Sequence, residues 1–424
     1  MFVSVDILSV IMYNCVATCH SLPESARDNI KRGLNLFSNS EPEEIGCDLT
    51  VEKLDLVGKS FAMKNNIHSD FFAGSDTTVE TDSVMLSILS SEFDCMESVL
   101  TLLDKSKFED CYILLRHVFE TFLYLWLMLE GEIYQFTRKY RIIPNSGSTK
   151  AQARDKTFEK WRREKKSGSP QYNDIVNMER GKKDDDAIRV TYQWKGLSSS
   201  SDPKESSRII PWYIFAFQDY DPETRFLANL PSFCLMEPKN IREIMKERPE
   251  EQETLYHRYF YIKSIFRNLR LNKLVSDDQI ERLMVHYNFF SSFLHPNKRI
   301  IRMRPSEFAF SFSYRDVELH SELVLLYLCR LQFLFLSKMI THFKKYYPQG
   351  KYEEYEKHAK ELDMASRDLW FFDNEPSGYD VETSKMKIWW LEKNGETVDK
   401  DRVFYYTDPI DRLRQLMFWK SRLK

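Results

Sequence analysis

Apolar residues recur at helical spacing along much of the chain, and this pattern predicts a mainly α-helical protein. In the segment 82–100 they stand three or four positions apart, which is typical of a helix with one buried face. Similar spacing predicts further helices over about 107–140, 239–270, 276–295 and 316–346. Pro296 sets the end of the helix before it, because a residue that precedes proline avoids helical geometry.

The segment from Cys111 to Leu129 is strongly apolar, but four polar residues interrupt its middle. They are Arg116, His117, Glu120 and Thr121. On a helix, positions 116 and 120 lie one turn apart, as do 117 and 121, so the four residues form one polar stripe. An unpaired buried charge is costly. We therefore expect another part of the chain to face this stripe.

A second polar group lies near the end of the predicted helix over 276–295. Its members share one helix face at positions i, i+3, i+4 and i+7, and they are Asn288, Ser291, Ser292 and His295. Four cations follow: Lys298, Arg299, Arg302 and Arg304. A histidine beside four cations suits a phosphate-bearing ligand. The alternative is a histidine that caps its own helix and a basic loop that faces water.

Composition and pattern predict three segments along the chain. Residues 1–78 are an N-terminal extension, residues 79–346 are a helical bundle core, and residues 347–424 are a small C-terminal α+β appendage. The core contains a charged insertion at about 144–210, which begins with a basic run around Trp161. A solvated helix face is the first interpretation of this run, and contact with nucleic acid is the second. In the appendage, Asn394-Gly395 between two runs that contain apolar residues predicts a β-hairpin.

Composition excludes several classes of protein. The net charge of -3 gives no general attraction to nucleic acid, so any such site must be local. Seven scattered cysteines without a CxxC pair indicate a cytoplasmic protein with reduced thiols, and Cys15, Cys19 and His20 are too few to predict a metal site. No cofactor motif is present. Polar residues interrupt the apolar segment 323–340, so we expect a core helix and no membrane association.

The two polar groups together resemble a known family. Arg116-x-x-x-Glu120 in an apolar helix, followed by Tyr287-x-x-x-Ser291-x-x-x-His295-Pro296 at a helix end, is similar to a pattern in uncharacterised bacterial HEPN-like all-α proteins. These are related to abortive-infection and toxin families. The resemblance covers roughly 84–140 and 275–345. It implies a bundle of about four helices in which the Arg/Glu stripe and the His295 helix face each other.

The resemblance also implies a chemistry and an assembly. HEPN ribonucleases carry Arg, four to six residues and then His, and they cut RNA without metal as a pair of protomers. In this chain Asn288 stands at the arginine position of R-x6-H before His295, and Arg282-x3-His286 is one residue short of the motif. Arg116 or Arg304 would then supply the cation from another element. Cleavage would need His295 as general acid or base and an arginine to stabilise the phosphorane.

Three functional hypotheses follow. The first is an RNA-binding or RNA-cleaving protein of a defence or toxin system, a homodimer or other homo-oligomer, with His295, Arg116, Glu120 and Asn288 as catalytic residues. Its substrate-binding residues would be Tyr287, Ser291, Lys298, Arg299, Arg302 and Arg304. The second is a non-catalytic helical module that binds a protein partner through the aromatic C-terminal region. The third is a sensor of nucleotides or other phosphate ligands that uses the cations after His295.

Overall fold

The structure, a computed structural model, describes residues 45–75, 80–131, 133–142, 144, 146–168, 175–181, 187–195, 220–221, 226–227, 262–294, 314–405 and 408–422. Over these residues the protein is mainly α-helical, as the sequence predicts. In chain order the elements are α1 (Ile45–Lys64), α2 (Ile67–Phe71), α3 (Glu80–Asp104), α4 (Phe108–Glu130), β1 (Ile133–Arg141), α5 (Lys150–Lys166), β2 (Ile175–Arg180), β3 (Ala187–Lys195), β4 (Tyr220–Asp221), β5 (Phe226–Leu227), α6 (Ile262–Leu271), α7 (Asp277–Ser291), α8 (Tyr314–Tyr346), α9 (Glu353–Ala365), α10 (Gly378–Lys393) and α11 (Pro409–Arg422).

The chain forms two compact units. The first contains Met1–Thr78, Asp82–Phe122 and Asp277–Lys424, and the second contains Val79–Thr81 and Leu123–Ser276. Helix α4 therefore contributes its first part to one unit and the rest to the other. Helices from all three predicted segments lie in the first unit.

Helix α8 is the central helix of the first unit. Its middle is apolar on every side and buried throughout, which is the pattern of a helix enclosed by others. Polar residues on α8 bind the surrounding helices: the Lys53 amine of α1 lies 2.6 Å from the Glu322 carboxylate, and the buried Arg330 donates to Asp363 of α9 at 2.6 Å and to Asp373 at 3.0 Å. Each buried charge thus has an opposite charge beside it, which offsets its desolvation.

The second unit contains a three-stranded antiparallel sheet with the order β1-β3-β2. Helix α5 packs on this sheet through Phe158 and Trp161, which contact a small core of Ile175, Ile188 and Val190. Most other residues of α5 are polar, and Lys156, Lys160, Arg162, Arg163 and Lys166 are exposed. The insertion predicted at about 144–210 is therefore an ordered α/β element where the structure describes it.

Two asparagines of α6 cover the outer edge of β1. The Asn272 amide donates to the Ile133 carbonyl at 2.7 Å and accepts from the Ile133 N–H at 2.8 Å. The Asn268 amide does the same for Gln135, at 2.9 and 2.6 Å. Because the two side chains stand one helical turn apart, they replace the hydrogen bonds of a neighbouring strand and protect an edge that would otherwise be open to association.

Two predictions about local structure are wrong. The helix expected over 107–140 ends at Glu130, and β1 takes the place of its last part. The hairpin expected at Asn394-Gly395 is the end of α10 instead. Gly395 has a φ of +83°, its N–H donates to Glu392 at 3.0 Å, and the Glu396 N–H donates to Leu391 at 3.1 Å. This is the Schellman arrangement, in which glycine ends a helix, and the described part of 347–424 is helical without strands.

Candidate functional site

Arg116, Glu120 and Tyr287 form a polar cluster between α4 and α7. The Arg116 Nε donates to Glu120 Oε1 at 2.8 Å, and Arg116 Nη2 donates to the Tyr287 hydroxyl at 2.7 Å. The guanidinium carbon also lies 4.8 Å from the centre of the Tyr287 ring, a cation–π contact. Arg116 and Glu120 of the polar stripe on α4 thus lie beside α7, the helix that precedes His295.

Aromatic residues hold α4 and α7 together beside this cluster. Tyr112 stacks on Phe293 with ring centres 4.5 Å apart and meets Phe289 edge-on at 5.0 Å, and Phe119 lies 6.0 Å from Phe290. Tyr112 and Phe119 lie two helical turns apart on α4, and Phe289 and Phe290 of α7, with Phe293 in the turn after it, form the apolar face that they pack against. Arg116 and Tyr287 lie at the margin of this face, where an arginine keeps its charged end near water.

The cluster is partly exposed to solvent rather than fully buried. The side chains of Arg116 and Glu120 are 21% and 26% exposed. Two nitrogens of the guanidinium are engaged by Glu120 and Tyr287, while Nη1 makes no hydrogen bond within the described residues. An arginine fixed through one edge and free at the other can donate to an incoming oxyanion, and the planar fork suits a phosphate.

His117 lies next to this cluster, and its nearest acid is Glu92 of α3. The His117 Nε2 stands 3.4 Å from Glu92 Oε1, with His117 53% and Glu92 5% exposed. The hydrogen bond to Glu92 raises the pKa of His117, burial opposes this, and the Glu120 carboxylate adds to the increase. The second oxygen of Glu92 is buried without a hydrogen-bond partner among the described residues. The sequence places His117 in the polar stripe but does not indicate Glu92 as its partner.

The structure places the other predicted site residues differently. Ser291 is not directed at Arg116, because its hydroxyl donates to the Tyr287 carbonyl of its own helix at 2.7 Å. The side chain of Asn288 is exposed and makes no hydrogen bond with the described residues. Five predicted residues lie outside the described part of the chain: His295, Lys298, Arg299, Arg302 and Arg304.

His286, noted above only for its spacing from Arg282, is buried in the protein core. Its Nδ1 lies 2.6 Å from the Tyr327 hydroxyl, and its Nε2 lies 3.2 Å from the Trp370 carbonyl and also contacts the Tyr405 hydroxyl. A neutral ring with the proton on Nε2 fits these partners, because that nitrogen then donates to the carbonyl and Nδ1 accepts from Tyr327. Burial lowers the pKa of His286 to about 3. Its place on the apolar face with Leu283 and Phe290 is the signal that could have identified it as a core residue.

Arg282 also has a structural role in this region. Its Nη1 donates to the carbonyls of Phe371 and Asn374 at 2.9 and 3.1 Å, and its Nη2 donates to Asp278 at 2.8 Å. The pair Arg282-x3-His286, which comes closest to the nuclease spacing, therefore fixes the segment 370–374 against α7.

A cavity of about 10 Å³ beside His286 has room for roughly one water molecule.

Comparisons of the chain with protein-family models, with curated proteins and with solved structures find no match. Within the residues that the structure describes, no group of three or more His, Cys, Asp or Glu side chains is arranged to hold a metal ion. The described helices Phe108–Glu130 and Glu318–Tyr346 are long and apolar enough to cross a membrane, but 67% and 83% of their apolar windows are buried inside the protein, as in core helices of soluble proteins.

Proposed function

We propose that this protein binds RNA and cleaves it without a metal, as a cytoplasmic member of a defence or toxin system with a HEPN-like bundle. The proposal rests on one observation, the arrangement of Arg116 on α4 against Tyr287 on α7. Glu120 and Tyr287 orient the guanidinium, and its Nη1 makes no hydrogen bond to the described residues. A pre-oriented cation of this kind can stabilise the charge that develops on a phosphate during cleavage.

The other residues of the proposal have distinct roles. Cleavage of RNA without metal requires a proton acceptor for the attacking 2′-hydroxyl and a proton donor for the departing 5′-oxygen. His295 is assigned to one of these transfers, and Lys298, Arg299, Arg302 and Arg304 to binding of neighbouring phosphates. Tyr287 and Glu120 position Arg116 rather than exchange protons with RNA.

Helix α5 supports RNA binding independently of that cluster. It carries eight basic and three acidic residues, a net positive charge of five, although the whole chain has a net charge of -3. Lys156, Arg163 and Lys166 are exposed and have no acidic partner among the described residues. A local concentration of unpaired cations in a chain without net positive charge is the electrostatic pattern of a polyanion site.

Binding and cleavage can be tested separately. We expect the purified protein to bind labelled tRNA or total RNA at low salt, with the affinity falling steeply as salt increases, and to yield fragments in the presence of EDTA. His295→Ala should abolish cleavage and leave binding intact, whereas Arg116→Ala should impair cleavage more than Arg116→Lys. If neither binding nor cleavage is seen at low salt, the proposal fails.

A second candidate function is a non-catalytic helical module. The observation that favours it is that Arg116 is already bonded to two partners inside the protein. In that case Arg116→Ala and His295→Ala would lower the melting temperature sharply and would change no RNA-dependent activity. A sensor of free nucleotides is distinguished by a thermal-shift screen, because nucleotides alone would then stabilise the protein.

A further inference from the structure

Helix α10 exposes three large apolar side chains on one face. Met386, Trp389 and Trp390 are 66%, 61% and 57% exposed, and their spacing places them side by side along the helix. The opposite face is buried, with Ile388 packed inside and the Ser384 hydroxyl accepting from the Phe404 N–H at 2.8 Å. The helix is thus fixed on one side, while the other presents an apolar patch of the kind that marks an interaction surface.

Charged residues extend this patch at both ends. We define the α10 ridge as six exposed residues of this face: Glu382, Lys385, Met386, Trp389, Trp390 and Lys393. At one end Lys385 donates to Glu382 at 2.8 Å, and at the other the Lys393 amine lies 5.0 Å from the centre of the Trp389 ring. Both charged ends are exposed, so these contacts can exchange for others at little cost.

The ridge is complementary to itself. If two copies of α10 pack antiparallel about a two-fold axis between positions 387 and 388, position 382 faces 393, position 385 faces 390 and position 386 faces 389. These pairings join Glu382 to Lys393, a lysine to a tryptophan ring, and a methionine sulfur to a tryptophan ring. All three are favourable contacts, and a two-fold interface needs one patch that matches itself.

We propose that the α10 ridge is a contact surface for a second copy of this chain. Charge favours this occupant, because the ridge carries one acidic residue, Glu382, and two basic residues, Lys385 and Lys393, and so has a net charge of only +1. A nucleic acid or an anionic membrane requires a strongly positive surface, whereas Glu382 near one end and Lys393 at the other match a second copy in antiparallel orientation. Dimer formation through the ridge does not depend on RNA binding. The ridge would be the place where the expected homodimer forms its contact.

The contact is small. Burial of two tryptophans and a methionine that are each about 60% exposed removes on the order of 400 Å² of surface per protomer. Stable complexes bury about 800 Å² per partner. The ridge by itself therefore supports an association that depends on concentration, with dissociation in the micromolar range or above.

Sedimentation velocity over a range of concentrations of the full chain tests the surface. We expect the average mass to increase from the 50.7 kDa of one chain toward twice that value, and the variant W389S/W390S to remain monomeric at every concentration. Met364→Ser is the matched control, because Met364 is equally exposed, at 65%, but belongs to a different helix, α9. A wild-type chain that stays monomeric, or a double variant that still dimerises, would overturn the proposal.

A charge exchange tests the antiparallel pairing itself. Glu382→Lys and Lys393→Glu, each alone, should raise the dissociation constant about tenfold, because each puts like charges opposite each other at both ends of the interface. The double variant E382K/K393E restores opposite charges and should return the constant to within about threefold of wild type. Loss of dimer in both single variants without restoration in the double variant would refute this pairing. Circular dichroism of all variants checks that α10 remains folded.

Discussion

Arg116 donates a hydrogen bond to the hydroxyl of Tyr287, a residue 171 positions further along the chain. The same guanidinium lies over the ring of that tyrosine and is held from the other side by Glu120. One side chain therefore joins α4 to α7, and its Nη1 makes no hydrogen bond to the described residues. Arg116 carries both this inter-helix bond and the proposed phosphate contact, so stability and RNA binding have to be measured on variants that separate them.

Tyr287→Phe keeps the ring and removes the hydroxyl that accepts from Arg116. We expect the free energy of unfolding to fall by about 1 kcal/mol, because one hydrogen bond to a charged donor is lost while the ring contact remains. Urea denaturation measures this change. Asn288→Ala, one position along the same helix, is the control and should be close to neutral. A Tyr287→Phe variant as stable as wild type would show that the bond contributes nothing to the fold.

Acidification should destabilise the protein through His286. Its folded pKa of about 3 lies below the ordinary value of 6.5, so an unfolded chain binds a proton that the folded chain excludes. The stabilisation by neutral His286 is fully present above pH 6.5 and is lost progressively as the pH falls toward 3. His358, whose pKa burial lowers to about 4, acts in the same direction.

The measurement is the free energy of unfolding between pH 7 and pH 5, where carboxylates change little. Each buried neutral histidine contributes a slope of up to about 1.4 kcal/mol per pH unit. His286→Phe should be less stable at pH 7 and should show a shallower slope than wild type. Equal slopes in wild type and His286→Phe would contradict the assignment of a neutral buried ring.

His117 should respond to pH with the opposite sign. Because Glu92 raises the pKa of His117, the folded state favours the protonated ring, and the resulting stabilisation is present below the ordinary value of 6.5. It is lost as the pH rises through the folded pKa. An NMR titration of the His117 ring should give a value above 6.5, and Glu92→Gln should lower it. A value that Glu92→Gln leaves unchanged would exclude the carboxylate as the cause.

Gly395 should tolerate substitution poorly although space surrounds it. A Cβ there would meet nothing within 4 Å, but the φ of +83° is unfavourable for other residues. We expect Gly395→Ala to lower the free energy of unfolding by about 1 kcal/mol. Gly58→Ala, inside α1 and equally unobstructed, should raise it by a similar amount, because alanine favours helix. The two substitutions are compared by thermal denaturation, and a change of the same sign in both would contradict the helix-end role of Gly395.

Helices with a strong periodic pattern could be predicted from the sequence, and those whose ends depend on a single residue could not. The long helix predicted over 316–346 is found as Tyr314–Tyr346. It could be predicted because apolar residues recur at helical spacing along the segment. Between α4 and β1 the residues Glu130-Gly131-Glu132 interrupt the apolar run. Gly131 follows the last turn of α4, and the prediction of one helix over 107–140 does not take this helix-end signal into account. Asn394-Gly395 is compatible with both a hairpin turn and a helix end, and the buried face of α10 decides between them.

The candidate site could be predicted in part for a related reason. The stripe of Arg116 and Glu120 is visible because charged residues stand out in an apolar helix. The need for a partner follows from the free-energy cost of burying an unpaired charge. The partner itself, Tyr287, comes from the resemblance and not from any local pattern. Glu92 lies among apolar residues of α3 without a spacing that points to His117, so only the packing of the two helices reveals the pair.

The long separation in sequence between contacting residues also affects how the first unit folds while it is being synthesised. At about 5–20 residues per second, the ribosome adds Tyr287 roughly 10 to 30 seconds after Arg116. Until then the apolar residues of α4, Tyr112 and Phe119 among them, have no α7 to pack against, and α1 waits longer still for α8, since Lys53 and Glu322 are 269 positions apart. The nascent chain therefore exposes the apolar faces of its earliest helices to chaperones and to neighbouring chains for most of its translation.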